Sequence, residues 1–162
     1  MELKKTDKLI IQLRKATSED VDLYYNWAND ELVRQNSFNS SSIDYNSHVQ
    51  WFNKQLQSLS AFLYVFVEAK EQGPVGQVRI NKGQEVIIGI SIDQHFRGKS
   101  LGSKMLMMAC EAYFKIHPED KIYAYIKETN IASYKAFIQA GFVDAEKVNV
   151  NGSTSFRLYK AK

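Results

Sequence analysis

The 162-residue chain has little of what marks a disulfide-stapled, metal-bearing or membrane-embedded protein. Its one cysteine, Cys110, excludes an internal disulfide and offers no zinc spacing. Set among apolar residues of a helical stretch, that thiol reads as packed rather than nucleophilic. The three histidines, His48, His95 and His117, are scattered, so no metal is expected. No apolar run approaches a membrane span, and Met1-Glu2-Leu3-Lys4-Lys5 does not lead into a signal-type apolar core. A surplus of one charge sign is also missing. With 21 basic against 18 acidic residues, dispersed along the chain, no stripe for nucleic acid stands out. There is no internal repeat and no linker. What remains is ordinary globular composition, 44% apolar and 24% charged, read as one cytoplasmic domain over 1–162 with a loose, polar stretch at 1–7.

What is present centres on residues 87–109. Ile87 to Ile92 reads as a buried strand, Asp93 to Phe96 as a turn. Arg97-Gly98-Lys99-Ser100-Leu101-Gly102 then opens a helix with apolar residues at Leu101, Met105, Met108, Ala109 and Ala112, one helical face. A strand feeding a glycine-bearing turn at a helix start is an anion cradle: backbone N–H groups point outward and the helix dipole favours negative charge. Gly98-Lys99-Ser100 has the ending of a P-loop, but the glycine required five positions earlier is Asp93. A dinucleotide fingerprint fails on glycine spacing and on the strand expected after its acidic partner. A plain surface turn before a helix is the bland alternative.

Around this stretch the pattern predicts a strand over 9–14, an N-cap at Ser18, one or two short helices over 22–34 and a polar loop over 36–47. A helix capped by Ser47 follows, its apolar residues Val49, Trp51, Phe52, Leu56 and Leu59. Residues 62–67, 75–80 and 87–92 read as an antiparallel meander. After the cradle helix come a stop at 117–120, a strand over 121–126, a helix over 130–140 ended by Gly141, and strands 143–150 and 153–159 joined at Asn151-Gly152, a strong hairpin signal.

Two stretches in this order resemble one family. Arg97 to Gly102 resembles the R/Q-x-x-G-x-G/A pyrophosphate loop of the GNAT N-acetyltransferases, with Ser100 where glycine is usual. Asn130 to Phe142 resembles that family's N-x-x-A/S-x-x-x-Y/F-x-x-x-G-F segment. The resemblance runs over about residues 9–160. It implies an α/β (α+β) fold, a mixed but mostly antiparallel sheet of about seven strands with about four helices, and acetyl-CoA as cosubstrate without a metal. It places backbone groups of Ile90, Ser91 and Ile92 on the pantetheine arm and acetyl carbonyl. The amides of Arg97, Gly98, Lys99, Ser100, Leu101, Gly102 and Ser103 fall on the pyrophosphate, and Asn130 on the arm near sulfur. Backbone donors aimed at a thioester oxygen stabilise the developing oxyanion without a side chain.

The usual acid and base are not in their usual places: Tyr125 stands where many relatives have Glu, and Phe137 where they have Tyr. Tyr134, Ser133 and Tyr125 are the candidates left, with Glu85 or Glu128 as a base acting through water. Tyr24 to Asp30, Val33 to Phe38 and His48 to Phe52 resemble the acceptor region of enzymes acetylating UDP-linked 4-amino sugars for pseudaminic acid and surface polysaccharide synthesis. On that likeness Arg34 meets a phosphate and Trp51 a sugar or base face, though aromatics at this helical spacing are more often core. The expected acceptor is a nucleotide-linked amino sugar, with no nucleic-acid or membrane partner and a homodimer left open. A ribosomal-protein N-terminus as acceptor, or a non-catalytic acyl-CoA-binding module, are the competing readings.

Overall fold

The computed structural model describes residues 8–162; the loose stretch expected at 1–7 lies outside them. Seven strands form one sheet in the order β1-β2-β3-β4-β5-β7-β6. They are β1 (Ile11–Lys15), β2 (Ala61–Glu68), β3 (Pro74–Lys82), β4 (Val86–Ile92), β5 (Lys121–Lys127), β6 (Val143–Val150) and β7 (Ser153–Ala161). Five helices accompany them: α1 (Val21–Ala28), α2 (Glu31–Asn36), α3 (Tyr45–Gln57), α4 (Gly102–Ile116) and α5 (Ile131–Gln139). The count exceeds the expected four because 22–34 divides at Asn29-Asp30, where Asp30 caps a new helix by accepting from Val33 N.

The sheet is covered on both faces. On one, Met105, Leu106, Ala109, Cys110 and Tyr113 of α4 pack on Tyr64, Phe66, Val78, Ile80 and Ile88. On the other, Tyr24 and Trp27 of α1 and Phe52 of α3 pack on Leu63, Val65 and Val67. This explains the unbroken apolar run of β2, which is buried on both sides. β6, at the sheet edge, is exposed along most of its length and correspondingly polar. The β6–β7 turn has positive φ at Asn151 (49°) and Gly152 (83°), the geometry that favours Asn-Gly in a tight hairpin.

All neighbouring strands are antiparallel except β4 and β5, which need the α4 crossover to run side by side. Their ladder is short, with Val86 opposite Ile122 and Ile87 opposite Tyr123. Beyond this, Ile88–Ile92 pair only with β3, and Ala124–Lys127 only with β7. The two strands part, and the gap opens toward the N-terminus of α4.

Three boundaries differ from expectation. Helix α3 is capped by Asp44, which accepts from Ser47 N, so Ser47 lies inside the first turn. Leu59 falls past the end of α3 and is 97% exposed. At the first turn, Thr17 N donates to the Asp20 carboxylate, which also takes a bidentate pair from Arg14 at 2.7 and 2.8 Å. Ser18 is therefore not the cap. Arg14 holds the Asp20 carboxyl below its ordinary pKa despite burial.

Candidate active site

The loop from Arg97 to Leu101 enters α4 through two left-handed residues, Gly98 (φ 73°) and Ser100 (φ 56°). That explains why glycine suits position 100: a serine adopts this conformation only at a cost. A Cβ at Gly98 would meet nothing within 4 Å, so the demand there is conformational rather than steric. Leu101, the N-cap position of α4, supplies no side-chain cap, unlike the N-cap residues of α2, α3 and α5. Its first-turn amides are left for an anion. Gly102 has a second reason, since its Cβ would lie 3.3 Å from both Ala136 Cβ and Ile92 Cδ1. Lys99 and Ser100 are exposed and Ser103 half-buried on this loop, whereas the Leu101 side chain goes into the core at 5% exposure. Residues 97–103 thus fit a pyrophosphate through backbone groups.

A cleft of about 910 Å³ runs from this loop along the gap between β4 and β5 and under α1–α3. It brings together Ile90, Ser91, Ile92, Arg97, Gly98, Gly102, Tyr125, Asn130 and Ser133 with Arg34 and Trp51. Asn130 caps α5, its Oδ1 accepting from Ser133 N at 3.3 Å, which leaves its amide nitrogen for the cleft. Ser91 Oγ accepts from Gln77 Nε2 at 3.1 Å, and its own proton goes to no described residue. Gln77 Oε1 is buried and unpartnered among the described residues.

Tyr134 is not brought into this group. Its hydroxyl donates to Asp144 on β6 at 3.0 Å, and its ring packs on Phe156. Ser133, Ala136 and Phe137 form the α5 face that lines the cleft. Tyr134 follows Ser133 by about 100° of helical turn and faces the hairpin instead. The expectation that Tyr134 replaces the missing acid is therefore corrected. Glu128 lies outside the cleft and pairs with Lys147 at 3.6 Å. Cys110 is 1% exposed and burial pushes its pKa up to about 12, in keeping with a packed thiol.

Tyr125 does line the cleft, and it is braced. Its hydroxyl donates to Glu85, which stands just before β4, and accepts from Arg157 Nε on β7 at 3.0 Å. Arg157 also grips Glu85 through a second nitrogen. The bonds from Tyr125 and Arg157 hold the Glu85 carboxyl below its usual pKa, while partial burial and Glu85 raise that of Tyr125. Arg157 went unread in the sequence because nothing local marks which strand will lie beside β5.

The acceptor half is roofed by α1, α2 and the 37–44 loop. The Trp27 indole donates to Asp93 at 2.8 Å, and Arg97 pairs with Asp30 at 2.6 Å, tying this wall to the cradle. Asn29 exchanges two hydrogen bonds with the backbone of Ile43, pinning the loop. Arg34 pins it too, donating to the carbonyls of Ala28, Asn39 and Ser41 and to Ser37 Oγ. The cation that sequence reasoning missed is Arg79. It alternates with Gln77 on the face of β3 beneath α1 and α3, and two polar residues at that spacing in an apolar strand were the available signal.

Comparison with known proteins places this arrangement. A family model described as "Acetyltransferase (GNAT) domain" matches residues 11–143. The chain belongs to the GNAT acetyltransferases, and is an acetyl-CoA-dependent N-acetyltransferase. No curated protein sequence matches it. Among solved structures, spermidine N-acetyltransferase from Vibrio cholerae, in complex with CoA and spermine, superimposes with a TM-score of 0.82 at 18% identity, covering 93% of this chain and 94% of that one. A domain from Methanocaldococcus jannaschii gives 0.79 at 21%, covering 94% and 98%. Ribosomal-protein-S5-alanine acetyltransferase from Vibrio fischeri gives 0.77 at 20%, covering 93% and 92%. At these identities the likeness speaks for the fold. Among the described residues no cluster of three or more His, Cys, Asp or Glu is placed to hold a metal, and no helix is long and apolar enough to cross a membrane.

Proposed function

We propose that the chain acetylates the primary amine of a nucleotide-linked amino sugar. The observation that carries this reading is the charge of the cleft. Its charged lining residues are Arg34, Arg79 and Arg97, and among the described residues no Asp or Glu lines it. A polyamine needs carboxylates around its ammonium groups, and this lining has none to give. An aromatic and amide-rich wall, with Trp51, Phe38, Asn36 and Asn39, suits hydroxylated rings and a base instead.

In this reading the backbone of Ile90 to Ile92 receives the arm and polarises the acetyl carbonyl, residues 97–103 hold the pyrophosphate, and Asn130 steadies the arm near sulfur. The amine gives its proton to Tyr125 Oη as the phenolic proton passes to Glu85 Oε1, its nitrogen bonds the acetyl carbon, the C–S bond breaks, and the departing coenzyme A thiolate takes the proton back along the same path. Glu85, kept ionised by Arg157, is then the base, with a tyrosine in place of a water. Much of the remaining rate comes from holding amine and thioester together.

Thiol release from acetyl-CoA tests this against UDP-amino sugars, free amino sugars, spermidine and peptides bearing ribosomal-protein N-termini. The highest kcat/KM belongs to a UDP-amino sugar. A faster rate on spermidine or on a peptide overturns the acceptor, and no release on any amino sugar does the same.

A further inference from the structure

Arg79 stands opposite Gly89 in the β3–β4 ladder, one residue before Ile90. Its guanidinium lies 5.5 Å from the centre of the Trp51 ring and 3.4 Å from where a Cβ on residue 89 would sit. Gly89 borders the guanidinium at ordinary contact distance. The other two cations of the cleft are engaged, Arg97 by Asp30 and Arg34 by backbone carbonyls. The Arg79 guanidinium makes no hydrogen bond or ion pair with any described residue, although it is withdrawn from solvent far enough for burial to lower its pKa. Tyr24 and the like-charged Arg34 are the titratable groups acting on it. The residue is half-buried, so its five donors meet a little water in the cleft but no protein acceptor, and an anionic group of a ligand can take them with little to displace.

We infer that Arg79, flanked by Trp51 and Gly89, is an anion-binding subsite that receives a phosphate or carboxylate of the acceptor while the acceptor's amine meets the thioester at Ile90–Ser91. The site is distinct from the pyrophosphate cradle, because Gly89 lies three residues, about 10 Å, up β4 from Ile92. It also sits next to the reacting centre, so anion and amine must be close within one molecule, as across a single sugar ring. A planar guanidinium held by an aromatic face suits two anionic oxygens at once. This inference rests on the acetyl-transfer reading and takes over the role first expected of Arg34.

The test compares wild type with Arg79→Met and Arg79→Lys on three acceptors: a UDP-amino sugar, the same sugar as an uncharged methyl glycoside, and an amino sugar acid bearing a carboxylate. Arg79→Met raises the KM of the preferred anionic acceptor about 10²-fold, as for loss of a charge-assisted bidentate contact. It narrows the preference over the methyl glycoside, and Arg79→Lys recovers part of it. Whichever anionic acceptor shows the effect identifies phosphate or carboxylate. An unchanged coenzyme A dissociation constant certifies that the fold and the cradle are intact. An equal loss on all three acceptors, or a matching loss of coenzyme A affinity, overturns the subsite. Titration of UDP and of glucuronate into the coenzyme A-saturated protein separates this inference from the function beneath it. Binding that vanishes in Arg79→Met without turnover on any amino sugar upholds the anion subsite and removes the nucleotide-sugar acceptor; no Arg79-dependent binding or KM effect with any probe removes the subsite.

Discussion

The two ends of the cleft present different surfaces. The end proposed for the cofactor presents backbone: a loop with two left-handed residues, an uncapped helix start and the unpaired inner edge of β4. The end proposed for the acceptor presents side chains projected from α1, α2, α3 and β3, most of them engaged in holding one another in place. Backbone recognition requires small residues at fixed offsets and tolerates change elsewhere. Side-chain recognition can be rebuilt from almost any residue types, which lets one fold serve unlike amines.

The sharpest way to break this contrast is at the cradle. Gly102→Glu abolishes coenzyme A binding by calorimetry, because the side chain collides with Ala136 and Ile92 at 3.3 Å and brings a carboxylate to the pyrophosphate. Since that variant also strains packing, Gly98→Val is the cleaner companion. It has open space around it and weakens binding tenfold or more, on the order of the 1–3 kcal/mol of a strained φ. Normal affinity in folded Gly98→Val would show that the loop conformation is not what binds.

Next in size is the proton path. Tyr125→Phe lowers turnover about 10²-fold with acetyl-CoA affinity retained, whereas Tyr134→Phe stays near wild type. Steady-state kinetics with the two swapped in effect would return the role to α5. Arg34→Ala removes three hydrogen bonds to the 37–41 loop and a fourth to the Ala28 carbonyl. It raises the acceptor KM several-fold and speeds backbone hydrogen exchange across that loop, with kcat little changed. Slower turnover with a quiet loop would mean that Arg34 touches the reacting groups instead.

The smallest effect is the pH response of Glu85. Its folded pKa lies below the ordinary value of 4.5, so the carboxylate's bonds to Tyr125 and Arg157 are fully in place above that value. They are lost as pH falls through the depressed pKa. Turnover of wild type therefore shows no Glu85-dependent step between pH 6 and 8. An ionisation there that disappears in Glu85→Gln would contradict the depressed value.

The same contrast explains what could be read from the sequence. The meander, the cradle and the Asn-Gly hairpin were legible because each rests on local chemistry: alternation, glycine at positive φ and an uncapped helix start. Gly98 and Gly102 stand in the loop and first helical turn that their spacing predicts, and Asn130 caps α5. The acceptor wall misled because long-range pairing decides it. Nothing near Arg34 in sequence says that its guanidinium will close on Asn39 and Ser41, and nothing near Tyr125 announces Glu85, 40 residues earlier, and Arg157, 32 later. Tyr134 misled for a simpler reason: one residue of helical rotation separates a face that lines the cleft from one that meets β6.

The early parting of β4 and β5 has a further consequence for thermal behaviour. Past Ile87 and Tyr123 each strand turns an unladdered edge toward the other, so the sheet is finished by whatever lies between them. A pantetheine arm, with its own amides, can take the place of the missing ladder rungs. Melting temperature then becomes a gauge of occupancy: cosubstrate at a hundredfold excess over its dissociation constant adds about 2.7 kcal/mol, or roughly 5–10 °C for a chain of this size.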